Sequence, residues 1–254
     1  MNTKYKILVL SDLKKNTSYT LKSTISLANM IGGDIKFFHV KKPVDIVEKD
    51  NQLSAMRSIN NEYTVTEKKI KQLLQPFSES YSTRIQSSFS FGNVREEIEK
   101  CMNQYQPDII VLGKRKANSL RIVGDQITQF VLKNFKGTVM IASDQNTLEP
   151  NKEISLGMLN GTTNDISHID FAEDLIKNAQ LPLKSFKIIK NSEKVEKNPT
   201  PSTQKMVEYV FEESDNVNKN LANYLSKNNI NLLCVNRENN YPINKLNVSL
   251  LVAN

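Results

Sequence analysis

Between Pro107 and Ser143 the chain reads PDIIVLGKRKANSLRIVGDQITQFVLKNFKGTVMIAS. Gly113 and Gly124 bracket a loop that carries Lys114, Arg115, Lys116 and Arg121. An apolar run precedes this loop, and a helical pattern marked by Ile127, Phe130 and Val131 follows it. A strand that feeds a basic, glycine-containing loop into a helix N-terminus can hold phosphate. Unpaired backbone N–H groups and the helix dipole converge there, and the cations add point charges. The chemistry indicated is anion binding rather than bond making. Ser11-Asp12 is not set in a G-x-S-x-G nucleophile elbow, and neither a Walker A nor a G-x-G-x-x-G motif occurs. His39 lies in a strand pattern and reads as a core or sheet-edge histidine. His168 stands near Asp165 and Asp170 but lacks the i, i+4 pair of strong ligands that a metal would take.

The elements that must position this loop follow from periodicity. Lys6–Leu10 (KILVL) is a continuous apolar run that ends at Ser11-Asp12, and a helix with Leu21, Ile25 and Ala28 on one face comes next. Gly32-Gly33 stops that helix, and Asp34–Val40 (DIKFFHV) is the second strand. A polar helical stretch spans about residues 51–75, with Ile59, Tyr63, Ile70, Leu73 and Leu74 as its apolar positions. Thr83–Phe91 alternates like a strand. The following helix places Ile98, Cys101, Met102 and Tyr105 at i, i+3, i+4 and i+7. Asp108–Leu112 and Thr138–Ala142 complete five strands alternating with four helices. That order implies a parallel sheet covered on both faces.

The second half repeats the order in abbreviated form: strand Ile154–Leu159, a helix near Asp165–Gln180, strands Leu183–Lys190 and Lys205–Phe211, a helix with Val217, Leu221, Tyr224 and Leu225, and strands Asn231–Val235 and Val248–Val252. Ile98, Cys101 and Met102 align with Leu221, Tyr224 and Leu225, and Gly113 with Asn236, all at one constant offset of 123. Near the start, Val9 aligns with Leu156 at an offset of 147, so the second copy is shortened where the first has its long polar helix. The reading divides the chain into units at 1–145 and 152–254, joined by a polar linker.

Charge and composition bound the partners. Residues 1–150 hold 22 Lys+Arg against 15 Asp+Glu, whereas residues 151–254 hold 12 of each. The net charge of +7 therefore belongs to the first half and favours anionic ligands. No zinc-finger spacing or aromatic RNA-binding cluster occurs, which argues against nucleic acid. Cys101 and Cys234 are too few for a disulfide framework and read as buried thiols. No apolar run approaches the roughly 20 residues that span a bilayer, and the N-terminus lacks a signal-peptide pattern, so a cytoplasmic protein is expected.

A strand ending in Asp12, a strand ending in His39-Val40, and a closing glycine loop, helix and strand, present in two copies, resemble a tandem universal stress protein. The resemblance implies flavodoxin-like, adenine-nucleotide-hydrolase-like α/β units. Each would be a parallel five-stranded sheet with helices on both faces, the second copy being reduced. It also implies an adenine-nucleotide site in the first unit. Asp12 would lie near the adenosine, Val40 against the base, and Gly113, Lys116 and Gly124 on the loop that in the family runs G-x2-G-x9-G-[S/T]. Here Lys116 stands for the second glycine, Gly124 arrives two residues early, and Asp125 replaces the hydroxyl residue. A Cβ at 116 disfavours close phosphate approach, and a carboxylate at 125 opposes an anion. No cofactor is therefore expected, with ATP in the first unit as the alternative.

The expected role is a non-catalytic stress-response or regulatory protein, because no catalytic constellation is present. The alternatives are a nucleotide-binding switch or weak ATPase, and a protein-interaction scaffold. The family also pairs through its last strands. Here Thr138–Ala142 and Val248–Val252 would pair within the chain, forming an intramolecular pseudo-dimer. An unidentified protein partner is a separate expectation.

Overall fold

The computed structural model describes residues 4–42, 52–114, 126–160, 169–189, 206–237 and 246–253. Their order is β1 (Tyr5–Ser11), α1 (Thr17–Ile31), β2 (Gly33–Lys41), α2 (Gln52–Tyr81), β3 (Ile85–Phe91), α3 (Val94–Tyr105), β4 (Ile109–Gly113), α4 (Gln126–Asn134) and β5 (Thr138–Ala142). The second half continues with β6 (Leu156–Leu159), α5 (Ala172–Lys177), β7 (Leu183–Ile189), β8 (Met206–Glu212), α6 (Val217–Lys227), β9 (Leu232–Asn236) and β10 (Ser249–Ala253).

All ten strands form one sheet in the order β3-β2-β1-β4-β5-β10-β9-β6-β7-β8. Within each half the neighbours are parallel. Among the described residues the single antiparallel junction is β5 against β10, with Met140 opposite Leu251. The two five-stranded parallel sheets thus join edge to edge through the strands expected to pair. Apolar side chains cover both faces. One cluster joins Val9, Ile25, Phe37, Ile70 and Val111 of the first half to Leu156, Phe171 and Leu175 of the second. The other joins Leu8, Ile98, Ile110 and Val131 to Phe186, Leu221 and Leu250. Central strands buried on both faces explain why KILVL and IIVL read as unbroken apolar runs.

Helix α1 is buried around most of its circumference, including Thr20, Ser23, Thr24 and Ser26. The inter-half linker accounts for this. Leu148 N–H donates to Ser23 Oγ at 3.2 Å, and Ser26 Oγ donates to the Glu149 carbonyl at 3.2 Å. The second half adds Phe171, 5.5 Å edge-on from Tyr5, whose hydroxyl donates to the Asp170 carbonyl at 2.9 Å. Gly32, in the left-handed region at φ 72°, closes α1 by donating to the Ala28 carbonyl at 2.9 Å, and β2 begins at the next residue.

The structure alters several sequence expectations. Helix α2 does not stop at residue 75 but runs through Pro76 to Tyr81. An internal proline costs a helix about 3 kcal/mol. Phe77 and Tyr81, packed on the core beyond it, supply the offsetting burial. Residues 165–168 of the expected helix near Asp165–Gln180 lie outside the described residues; the described helix is Ala172–Lys177, and it ends short of Gln180 because Ala179 instead bridges to Ile154 in strand fashion. The sheet register also moves the first alignment. Ile7 pairs with Ile109 and Leu156 with Leu232, so Ile7, not Val9, is the counterpart of Leu156.

The shortening between halves can now be located. Ile35 pairs with Ile85, and its counterpart Leu183 pairs with Met206. The chain between the first two partners is more than twice as long as the chain between the second two. Matched positions on the face that α2 covers in the first half change character accordingly. Phe37 becomes Ser185, Phe89 becomes Val210 and Phe91 becomes Glu212. Lys187 and Glu208 form an ion pair of 3.3 Å on that face. Ser185 remains buried, but Lys187, Glu208, Val210 and Glu212 are exposed, so toward its edge this face of the sheet is solvated. No described helix is long and apolar enough to cross a membrane.

Candidate functional site

In the first half the chain leaves β1 for β2 and β3 on one side, then returns to β4 and β5 on the other. Such a reversal opens a crevice beyond the carboxyl ends of the two strands at which it occurs, here β1 and β4, and ligands of open parallel sheets bind in it. Ser11 pairs with His39, so Asp12 and Val40 are each one residue beyond that pair. Leu10 pairs with Leu112, which sets Gly113 level with Ser11. Three of the five residues singled out from sequence therefore stand together at one end of the sheet. Lys116 and Gly124 lie outside the described residues, as do Arg115, Arg121 and Asp125.

Asp12 is engaged in a turn. Its carboxylate accepts from Lys14 N–H at 3.1 Å and lies 3.9 Å from Lys14 Nζ. The intervening Leu13 is in the left-handed region at φ 57°, with its N–H donating to Ser11 Oγ at 3.1 Å. Val40 is half-buried and packs on the cluster that holds Leu10 and Phe38. Beside it, buried His39 donates from Nδ1 to the Ser11 carbonyl at 2.8 Å, as a carbonyl can only accept. Burial pushes the imidazole below its ordinary pKa, opposed by that hydrogen bond and by Asp12. His39 is thus fixed as part of the sheet, consistent with the core reading.

Gly113 has a packing reason to be glycine. A Cβ there would sit 2.5 Å from Thr20 Oγ1, which donates to the Asn16 carbonyl at 3.2 Å from within α1. The next residue, Lys114, donates its backbone N–H to the Ala142 carbonyl at 2.8 Å. Its ammonium does not turn toward the crevice. It donates to the Leu246 carbonyl in the second half, and burial lowers its pKa while Asp144 acts in the opposite sense. Asn16, just before α1, donates from Nδ2 to the Lys114 carbonyl at 3.4 Å and to Asp144 Oδ2 at 3.2 Å. A carboxylate of the protein itself therefore lies by the positive end of α1.

Sequence reasoning missed Asn16, Thr20 and Asp144. Asn16 reads as an ordinary helix-start residue and Asp144 as part of a polar linker. Only the folding of β4, β5 and α1 onto one another brings them together.

The matching end of the second half is arranged differently. Asn160, at φ 51°, follows β6, donates its N–H to the Phe186 carbonyl at 2.7 Å and accepts the Ile188 N–H on Oδ1 at 2.7 Å. Its side chain serves as a strand-end cap. Gly113 pairs with Ala142, and their counterparts Asn236 and Ala253 pair likewise, but the chain between the second pair is much the shorter. No group of three or more metal-ligating side chains is assembled among the described residues, and His168 lies outside them.

Comparison with known proteins places this arrangement. Over 98% of its length the chain superposes on 96% of a universal stress protein from Archaeoglobus fulgidus, with a TM-score of 0.64 at 13% identity. A protein of unknown function from Pseudomonas aeruginosa matches over 98% of this chain and 92% of its own, with a TM-score of 0.60 at 10% identity. A universal stress protein solved in complex with cAMP matches 56% of this chain and 98% of its own, with a TM-score of 0.39 at 11% identity. No curated protein matches in sequence. The family model described as the universal stress protein family matches residues 5–143, more than half of the chain, and the chain therefore belongs to the universal stress protein family.

Proposed function

We propose that this protein is a non-catalytic, cytoplasmic stress-response or regulatory module. Two universal-stress-type units, residues 1–145 and 152–254, would act as an intramolecular pseudo-dimer. Its first-half crevice would hold adenine nucleotide only weakly. The observation that carries the reading is the direction taken by Lys114. The first cation of the loop is committed to a carbonyl of the second half, while Asp144 presents a carboxylate beside Asn16, which also meets the Lys114 carbonyl, near the place where phosphate would go. An incoming polyphosphate would meet like charge and would compete for a cation already in use.

The alternative, a nucleotide-binding switch or weak ATPase, is favoured by one observation. Asp12, Val40 and Gly113 stand together at the chain-reversal point, where Lys116 and Gly124 would complete the site. Titration calorimetry with ATP separates the two. The proposal expects a Kd weaker than about 100 μM, near −5.5 kcal/mol. Low-micromolar affinity, or adenine nucleotide released when the purified protein is denatured, would establish the alternative. The third reading, a protein-interaction scaffold, draws support from the second half, where the matched loop segment is cut short and Asn160 occupies the strand end.

A further inference from the structure

The β5–β10 seam carries a pair of contacts that mirror each other. Lys114 follows β4, and Arg237 follows β9 at the constant offset of 123. Each donates its backbone N–H to the end of the neighbouring strand, Lys114 to Ala142 and Arg237 to Ala253, both at 2.8 Å. Each then sends its side chain across the seam into the other half. Lys114 Nζ donates to the Leu246 carbonyl. Arg237 donates from one terminal nitrogen to the Phe135 carbonyl and from the other to the Gly137 carbonyl at 2.6 Å. The sequence separation of Phe135 from Leu246 equals that of Ala142 from Ala253, so the two acceptors are matched positions as well. The two contacts are therefore the same contact, made once in each direction under a pseudo-two-fold relation.

Their placement gives the pair a consequence beyond strand pairing. Because β5 and β10 are antiparallel, the carboxyl ends of β4 and β9 lie at opposite ends of the seam. A five-residue strand is about 16 Å long, so the seam is fastened at two points roughly that far apart. The Arg237 fork reaches the residues just past Asn134, the last residue of α4. Carbonyls at a helix C-terminus lack intrahelical donors and carry partial negative charge, which suits a guanidinium. Among the described residues neither cation forms an ion pair with a carboxylate. The carbonyls of the opposite half are what compensate them, and removing either cation leaves those carbonyls short of a donor.

We propose that Lys114 and Arg237 form a reciprocal latch, by which the second half fixes the exit of β4 and the C-terminus of α4 in the first half. They are positioning residues. Through Lys114 the second half supports the exit of β4, which borders the first-half crevice, and through Arg237 it holds the far end of α4. The latch does not require that the crevice bind nucleotide, so the two claims can fail separately.

Hydrogen exchange read by mass spectrometry on the full chain tests it. In Arg237→Gln, amides of Phe130–Thr138, in the other half of the sequence, should exchange about tenfold faster or more, as for loss of hydrogen bonds to a charged group. Lys114→Met should have the reverse effect, loosening Leu246–Leu250. In both variants α3 should keep its wild-type protection. Arg237→Lys, which keeps the charge but cannot fork to two carbonyls, should fall between wild type and Arg237→Gln. It also carries the test if Arg237→Gln does not fold. Exchange that is unchanged across the seam, that changes only in the half bearing the substitution, or that rises uniformly over the whole sheet would overturn the latch.

Discussion

Gly113→Ala is a test of why a glycine stands at the mouth of the crevice. In a phosphate-binding loop the glycine serves close approach of the ligand, and an alanine would leave the stability of the empty protein nearly unchanged. The structure gives another reason. The added Cβ would lie 2.5 Å from Thr20 Oγ1, and such contacts essentially never fall below 3.0 Å, so the two groups must separate by about half an ångström. Thr20 has little room to yield. It is 3% exposed, sits within α1 and has its hydroxyl on the Asn16 carbonyl. Overpacking of this kind costs about 1–3 kcal/mol.

Thr20→Ala removes the obstructing atom. Its own cost should be modest, about 1 kcal/mol, since the Asn16 carbonyl still accepts the Thr20 N–H at 3.2 Å. The double variant should then be more stable than the sum of the single effects predicts, by about 1 kcal/mol or more. Thr20→Val, which keeps the bulk, should give no such relief. Urea unfolding of wild type, the two single variants and the double variant measures the coupling. Additivity to within about 0.5 kcal/mol would refute the packing explanation.

Two further outcomes follow from the same description. Ile98→Ala, on the buried face of α3, should cost about 2–5 kcal/mol in urea unfolding, whereas Lys100→Ala, whose ammonium meets Glu97 at 2.7 Å in solvent, should leave the midpoint unchanged; equal losses would refute the assigned helix face. Burial lowers the pKa of His39 in the folded state, so the unfolded chain binds the extra proton first; the stabilisation is complete above the unfolded value near 6.5 and is lost as pH falls through the lower folded value. His39→Gln should flatten that part of the stability profile, with Asp12, Lys41 and Lys69 as the neighbouring charges, and an unchanged slope would refute it.

The parts of the fold that are legible in the sequence share a physical cause. Strands β1, β4, β9 and β10 are buried on both faces, so their apolar runs are continuous, and α3 and α6 carry the same face at the same offset. Alignment is less secure where elements are short or local rules are broken. Strand β6 has only four residues, too few to fix its register against β1 from pattern alone. The run of α2 past Pro76 is hidden because tertiary packing of Phe77 and Tyr81 overrides a local helix breaker. At the crevice the sequence points to Asp12, Val40 and Gly113, which register brings together. It does not reveal Thr20 against Gly113 or Asn16 against Asp144, since the members of each pair are remote in the chain and no periodicity links them. Lys114 reads as a loop cation, and its commitment to Leu246 becomes visible only once β5 and β10 are paired.

The antiparallel junction also bears on how freely the two halves can diverge. With strand directions reversed across the seam, the carboxyl ends of the first-half strands and those of the second half point to opposite ends of the molecule. The second copy is shorter between its second and third strands, next to the outer edge of the sheet. It is shorter again after β9, at the end away from the first-half crevice. Neither difference falls within β10, the strand that meets β5, or within β9 beside it. One copy of a duplicated unit can therefore be trimmed at its own working end and rim while the other keeps an unaltered neighbour, and natural variation in the second half should accumulate at the rim and far end before it reaches the seam.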